Sequence, residues 1–540
     1  MGSTSNDWQE ISNRAQQKVW SDIPAEWKLP TDRLPGDEVR DVTNFPAQSG
    51  LLSKLEIEIT DSFAVEIVER IAKGEWKAED VARAFCKRAA IAHQLTNCLT
   101  VIMFDDAIQR AKELDAEFAR TGRVTGPLHG LPVSLKDNFN IPGFPSSVGF
   151  CSWAEEIMEE ESTIVTTLRN LGAVAYVKTN VPTAMMIAET VNNCYGRTTN
   201  PLNRATTSGG SSGGESALIA LRGSPLGVGT DIGGSLRIPA ACTGIYTLRP
   251  SYGRFPHFDA RSGLAGQEAV ASVHGPMGRS VADIRLFAEH VTNTSPWLQD
   301  PKCIPSLSWR EVQIPPKPKI AVLWDNGLVT PHAPVTRALR ETVSKLHSKG
   351  YDLIDWPATD HAEAVDLLAT FFLADGGLSI REILAPTGEP FRPEMQPYEE
   401  ATELGVHALW KAQKQRTALQ KRYLDRMESS GIDAILGPTT PYAGAPKSGE
   451  FKHVGYTGVF NILDYSSVSF PVPDVFVDEE KDGGAVQVEG QFYGEVDEEA
   501  QRAFDVEVQN GLPISLQLTG KRLEEEKILR LTEQVVRDLR

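Results

Sequence analysis

Apolar residues recur three and four positions apart in several stretches, which puts each set on one face of a helix. This spacing predicts helices around Trp8–Trp20, over Phe63, Ile67, Val68 and Ile71, over Val81, Phe85 and Ala89, and over Ala107, Ala111, Leu114 and Phe118. Further helices are expected at Thr163–Leu171, Glu215–Leu221, Pro334–Lys349 and Val406–Arg422. Short apolar runs bounded by Gly and Pro predict buried strands at Leu131–Leu135, Ala173–Lys178, Leu226–Thr230, Ile320–Trp324 and Asp433–Leu436. Strands alternating with helices imply an α/β protein. Residues 1–60, rich in Pro, Asp and Trp, read as an N-terminal arm packed on a body of residues 61–540. The acidic stretch Asp474–Glu499 reads as an exposed loop or hairpin insertion.

Composition narrows the function classes. With 41% hydrophobic and 23% charged residues, the chain can fold around a core and is not disordered. The net charge of −18 disfavours nucleic acid or an anionic lipid surface as the main partner. Six scattered cysteines without metal-ligand spacing read as free, buried thiols of a reducing compartment. A polar N-terminus and the lack of any ~18–20-residue apolar run lead us to expect a cytoplasmic protein with no membrane span.

Chemistry concentrates in Ser208–Gly244, SGGSSGGESALIALRGSPLGVGTDIGGSLRIPAACTG. Glycine at this density opens backbone conformations closed to other residues and lets a ligand approach the main chain. A phosphate-binding loop would end in GK[ST], which is absent. Gly209–Gly213 formally fits the G-x-S-x-G nucleophile elbow. That elbow needs an apolar strand just before it, and here NPLNRATTS is loop-like.

The ordered set of motifs resembles the amidase signature family. GGSSGGE is followed by G-x-G-x-D at Gly227–Asp231 and by GGSLRIP at Gly233–Pro239. Upstream stand LPVSLKDN, bearing Lys136, and NPLN at Asn200–Asn203; downstream stand GPMGRSVAD, GPTTP and GLPISLQLTG. The resemblance runs from about Asp61 to the C-terminus, and the arm is similar to that of fungal acetamidase-like amidases. It implies a large twisted mixed β-sheet covered by α-helices, with no metal or organic cofactor and a possible homodimer.

The resemblance further implies a serine amidase in which Ser235 attacks the carbonyl, Ser211 relays its proton and Lys136 is the base. The peptide bond before Ser211 is expected to be cis. Backbone N–H groups of Ile232, Gly233, Gly234 and Ser235 would form the oxyanion hole, with Gly210 and Ser212 in support. Asp231 and Arg237 read as an ion pair bracing the loop. A lysine serves as base only when neutral, and burial among the apolar neighbours Leu131, Val133 and Leu135 would favour that form. Asp137 would point to the opposite face of the strand. Met185 and Met186 fit two uses, core packing or lining of a substrate channel, and their spacing does not separate these. The expected partner is a small-molecule amide. Two other readings stay open: the A subunit of a tRNA-dependent amidotransferase, and a non-catalytic binding protein of the same fold.

Overall fold

Eleven strands form one mixed sheet that runs through the molecule. In the computed structural model, which describes residues 7–483 and 492–540, these are, in chain order, β1 (Leu99–Ile102), β2 (Pro132–Lys136), β3 (Val174–Thr179), β4 (Leu226–Asp231), β5 (Tyr246–Arg249), β6 (Val273–Gly278), β7 (Lys319–Val322), β8 (Asp352–Asp355), β9 (Ala434–Pro438), β10 (Ser467–Phe476) and β11 (Pro513–Thr519). Across the sheet the order is β1-β3-β2-β4-β6-β5-β10-β11-β9-β7-β8. Strands β3, β2 and β4 run parallel, as do β9, β7 and β8, and the middle of the sheet is antiparallel. The parallel strands are joined through helices, including Thr163–Asn170 between β2 and β3 and Gly213–Ala220 between β3 and β4. The large mixed sheet and its helical cover are the α/β architecture expected.

The helical periodicity corresponds to real buried faces. Ile67 and Ile71 are buried on helix Ala64–Ala72, while Phe63 sits at its N-cap and is exposed. Val81, Phe85 and Ala89 are buried on helix Ala78–Thr96, and Ala107, Ala111 and Leu114 on helix Phe104–Thr121. All six cysteines are buried and free.

The arm begins with helix Trp8–Asp22, whose first turn is capped by the Asp7 carboxylate, which accepts the Gln9 N–H. Ile11, Ala15 and Val19 join the main core, and Ser12 Oγ donates to the Cys194 carbonyl at 2.7 Å. The boundary expected at residue 60 falls inside helix Lys54–Asp61, which packs on helix Ala78–Thr96.

Most described residues of the acidic stretch are exposed, as expected, but the stretch is not all loop and two of its carboxylates are buried. Its first residues complete strand β10, and it continues into helices Glu479–Asp482 and Glu495–Arg502. Asp482 is buried against Arg337 at 2.7 Å, and buried Asp497 accepts the Thr330 N–H at 2.9 Å. Charge density reads as exposure until partners elsewhere in the chain neutralise single carboxylates. Residues 484–491 of the stretch lie outside the described residues.

Candidate active site

Lys136 closes strand β2 and is completely buried. Strand alternation turns Ser134 and Lys136 to one face and sends Asp137 to the other. There the Asp137 carboxylate accepts hydrogen bonds from Thr100 Oγ1 at 2.6 Å, Ser147 Oγ at 2.7 Å and the Val148 N–H at 2.7 Å. Lys136 Nζ donates to Ser211 Oγ at 2.7 Å and to Thr230 Oγ1 at 2.6 Å. Burial strips water from the ammonium and pushes its pKa down to about 7, against the upward pull of Asp231 and Glu215.

Ser211 and Ser212 sit in the loop that enters helix Gly213–Ala220, and the Gly210–Ser211 peptide is cis, as expected. The segment before this loop is not wholly irregular: Asn203–Thr207 is a strand paired with Thr199–Asn200 in a small ribbon outside the main sheet. Ser212 Oγ lies 3.4 Å from both the N–H and the carbonyl oxygen of Thr230. Its N–H donates to the Ser235 carbonyl at 3.2 Å, so the two serine loops are joined through their main chains.

Glu215, on the same helix, is buried and accepts from Ser134 Oγ at 2.5 Å and Thr179 Oγ1 at 2.8 Å. Burial raises its pKa to about 8 although these hydroxyls and Lys136 pull it down. The glycine at position 227 makes this approach possible, because a Cβ there would stand 2.0 Å from Glu215 Oε2.

The loop after β4 is built on Asp231. Its carboxylate accepts the Gly234 N–H at 2.8 Å and the Leu236 N–H at 3.2 Å, and it pairs with Arg237 at 3.1 Å. Both partners are fully buried. Asn461 ties the pair together, donating to Asp231 at 2.8 Å and accepting from Arg237 at 2.6 Å. Burial would raise the Asp231 carboxyl, but Arg237 and its other partners hold it down to about 2. Gly234 has φ +131°, and a Cβ there would stand 2.2 Å from Thr457 Oγ1, which also donates to the Gly233 carbonyl at 2.7 Å.

One expectation needs correcting. The Gly234 N–H is taken by Asp231, so it is not a free donor for an oxyanion. The N–H groups of Ile232, Gly233 and Ser235 make no hydrogen bond among the described residues. Ser235 is half-buried, and its hydroxyl is likewise without a partner among them.

Met185 and Met186 are half-buried against an apolar cluster of Val148, Phe150, Ile380 and Met395, where Phe372 also packs. Phe372 faces Gly233 as well, at 3.4 Å from the position of a Cβ there, and it lines a cleft of about 490 Å³ with Leu264, Phe371, Leu404 and Leu409. An apolar wall thus runs from the methionine cluster to the serine loops. Sequence reasoning assigned no role to Thr230, Glu215, Thr457 or Asn461. The first two stand inside quoted motifs, whereas Thr457 and Asn461 lie more than 200 positions from the loop they hold and leave no local signal.

Comparison with known proteins gives the family and the fold. A sequence profile of the Amidase family matches residues 80–529. The acetamidase of Emericella nidulans is 40% identical, over 98% of this chain and 97% of its own. The acetamidase of Aspergillus oryzae is 39% identical over 98% of each. A solved fatty acid amide hydrolase superposes with a TM-score of 0.94 at 32% identity, covering 98% of this chain and 95% of its own. Fold and likeness together define an amide-hydrolysing enzyme. The chain belongs to the amidase signature family.

Proposed function

We propose that this protein is a serine amidase that cleaves carboxamide C–N bonds through an acyl-enzyme, with Ser235 as nucleophile, Ser211 as proton relay and Lys136 as base. The observation that carries the reading is the buried Lys136 Nζ, poised at about 7 and hydrogen-bonded to Ser211 Oγ at 2.7 Å. A serine hydroxyl is a weak nucleophile until a neighbouring base removes its proton. Neutral Lys136 takes the proton of Ser211 while Ser211 takes that of Ser235, and Ser235 Oγ adds to the amide carbon. The N–H groups of Ile232, Gly233 and Ser235 are then the available donors for the tetrahedral oxyanion, in place of the occupied Gly234. The relay runs backwards to protonate the leaving nitrogen, which departs as ammonia or amine. Water repeats the cycle on the acyl-enzyme and releases the carboxylate.

Asp231 and Arg237 hold the loop and take no proton. The apolar wall of Met185, Met186 and Phe372 supports an aliphatic or aromatic acyl group. Two relatives are acetamidases and the superposed structure is a fatty acid amide hydrolase, so acyl length is the property to measure. The test is ammonia and amine release from amides running from acetamide through benzamide and anilides to long-chain acyl amides. Ser235→Ala should lose turnover on every member while keeping its fold. Substantial residual turnover would move the nucleophile elsewhere.

A further inference from the structure

Three residues beside the site hold a left-handed backbone that side chains rarely adopt: Val148 at φ +53°, Ala184 at +59° and Met185 at +59°. Val148 is β-branched, for which this conformation is least favourable. Such geometry persists only where the surroundings enforce it. Here two turns enforce each other. The Ala184 N–H donates to the Val148 carbonyl at 3.0 Å, and all three side chains pack in the methionine cluster. Space is tight as well: a Cβ at Gly149 would stand 2.8 Å from the Pro182 carbonyl oxygen, and one at Gly263 2.7 Å from the Ala184 Cβ.

The chain that follows reaches the serine loop. Thr190 Oγ1 donates to the Gly209 carbonyl at 2.9 Å and accepts the Gly213 N–H at 3.0 Å. A Cβ at Gly210 would stand 2.6 Å from the Glu189 nitrogen. Met185 and Met186 thus lie on a short segment tied at one end to Val148 and at the other to the loop that bears Ser211.

What fixes Val148 is Asp137. Its carboxylate accepts the Val148 N–H and Ser147 Oγ, both at 2.7 Å, while Thr100 Oγ1 donates to its other oxygen at 2.6 Å. The buried Lys178 ammonium stands 3.8 Å away and donates to Ser146 Oγ at 2.7 Å and to the Pro145 carbonyl. We propose that Asp137 is a positioning residue that sets acyl selectivity. Through the Ser147–Val148 turn it fixes Ala184 and Met185, and with them the wall against which an apolar acyl group lies. The inference rests on the serine-amidase reading of the site. The end of β2 then serves the reaction twice, with Lys136 on one face and Asp137 on the other.

Steady-state kinetics on acetamide and hexanamide test it in Asp137→Asn, Met185→Ala and the double variant. Asp137→Asn should lower the ratio of kcat/KM for hexanamide over acetamide about tenfold, mainly through a higher KM for hexanamide. The acid limb of its pH profile should keep its midpoint. Met185→Ala should lower the same ratio, and the double variant should fall no further than the larger single effect, because both changes act on one wall. An unchanged ratio in Asp137→Asn, or additive effects in the double variant, would overturn the proposal. A displaced pH midpoint would overturn it too, by showing that Asp137 acts on Lys136. Ser147→Ala removes one donor to Asp137 and carries the test, with a several-fold fall in the same ratio, if Asp137→Asn does not fold. Turnover surviving in Ser235→Ala would overturn the serine-amidase reading itself, whereas its loss beside an unchanged ratio in Asp137→Asn overturns this inference alone.

Discussion

Acidification should switch this enzyme off through Lys136, at a pH that the structure sets. An ordinary lysine near 10.5 is neutral in about one molecule in 3000 at pH 7. Held at about 7, Lys136 is neutral in about half of the molecules at pH 7 and in about a tenth at pH 6. For an uncharged substrate, kcat/KM reports the titrating groups of the free enzyme. It should therefore fall about tenfold per pH unit well below 7 and level off above about pH 8. Glu215, raised to about 8, interacts with Lys136, so the measured midpoint belongs to the cluster and not to one side chain. At about 8 Glu215 is mostly protonated near pH 7, so Glu215→Gln should leave the acid limb close to its place and remove the second titration above it. The assay is kcat/KM for an anilide, followed by the absorbance of the released amine from pH 5 to 9.5. A rate still climbing tenfold per unit between pH 8 and 9.5 would show that Lys136 keeps its ordinary basicity, and the reasoning would be refuted.

Three further outcomes follow from the same geometry. The folded pKa of Lys136, about 7, lies below the ordinary 10.5, so between these values the unfolded chain binds more protons and this group makes stability rise with pH. Below pH 7 the penalty is about 5 kcal/mol. Lys136→Met should raise the thermal midpoint at pH 6, less the loss of two hydrogen bonds, with the advantage shrinking towards pH 10.5; a variant less stable at pH 6 than at pH 9, relative to wild type, would contradict this. Gly234→Ala places a Cβ 2.2 Å from Thr457 Oγ1 at φ +131°, and should cost about 1–3 kcal/mol or more in a thermal melt and reduce kcat. Arg237→Met strands the buried Asp231 charge and should cost about 3–5 kcal/mol, whereas an unchanged melting temperature would mean that the pair does not brace the loop.

Local pattern went furthest where a single element carries the signal. The faces of helices Ala78–Thr96 and Phe104–Thr121, strands β2, β3 and β4, and the motifs that carry the candidates Lys136, Ser211 and Ser235 were legible, because an amphipathic face or a motif is a local pattern. Strand β6 was not. Its sequence VHGPMG contains two glycines and a proline, which pattern rules read as strand breakers. The strand is nonetheless buried, with Pro276 opposite Val228 of β4, and Thr247 of β5 donates to the Pro276 carbonyl at 2.8 Å. Close packing even requires the glycine at 275, where a Cβ would stand 2.2 Å from the Leu248 carbonyl.

Within the largely exposed acidic stretch, the burial of Asp482 and Asp497 was not legible for the related reason that their partners Arg337 and Thr330 lie more than 100 positions upstream. The sequence by itself determined the family, the α/β class and the identities of the candidate catalytic side chains. Tertiary structure alone decided which donors remain free. Whether the Gly234 N–H faces a substrate or the Asp231 carboxylate depends on a buried network closed by Arg237, Asn461 and Thr457. Hydrogen bonding and burial depend on what stands a few ångströms away in space, and the chain order of those neighbours carries no mark of it.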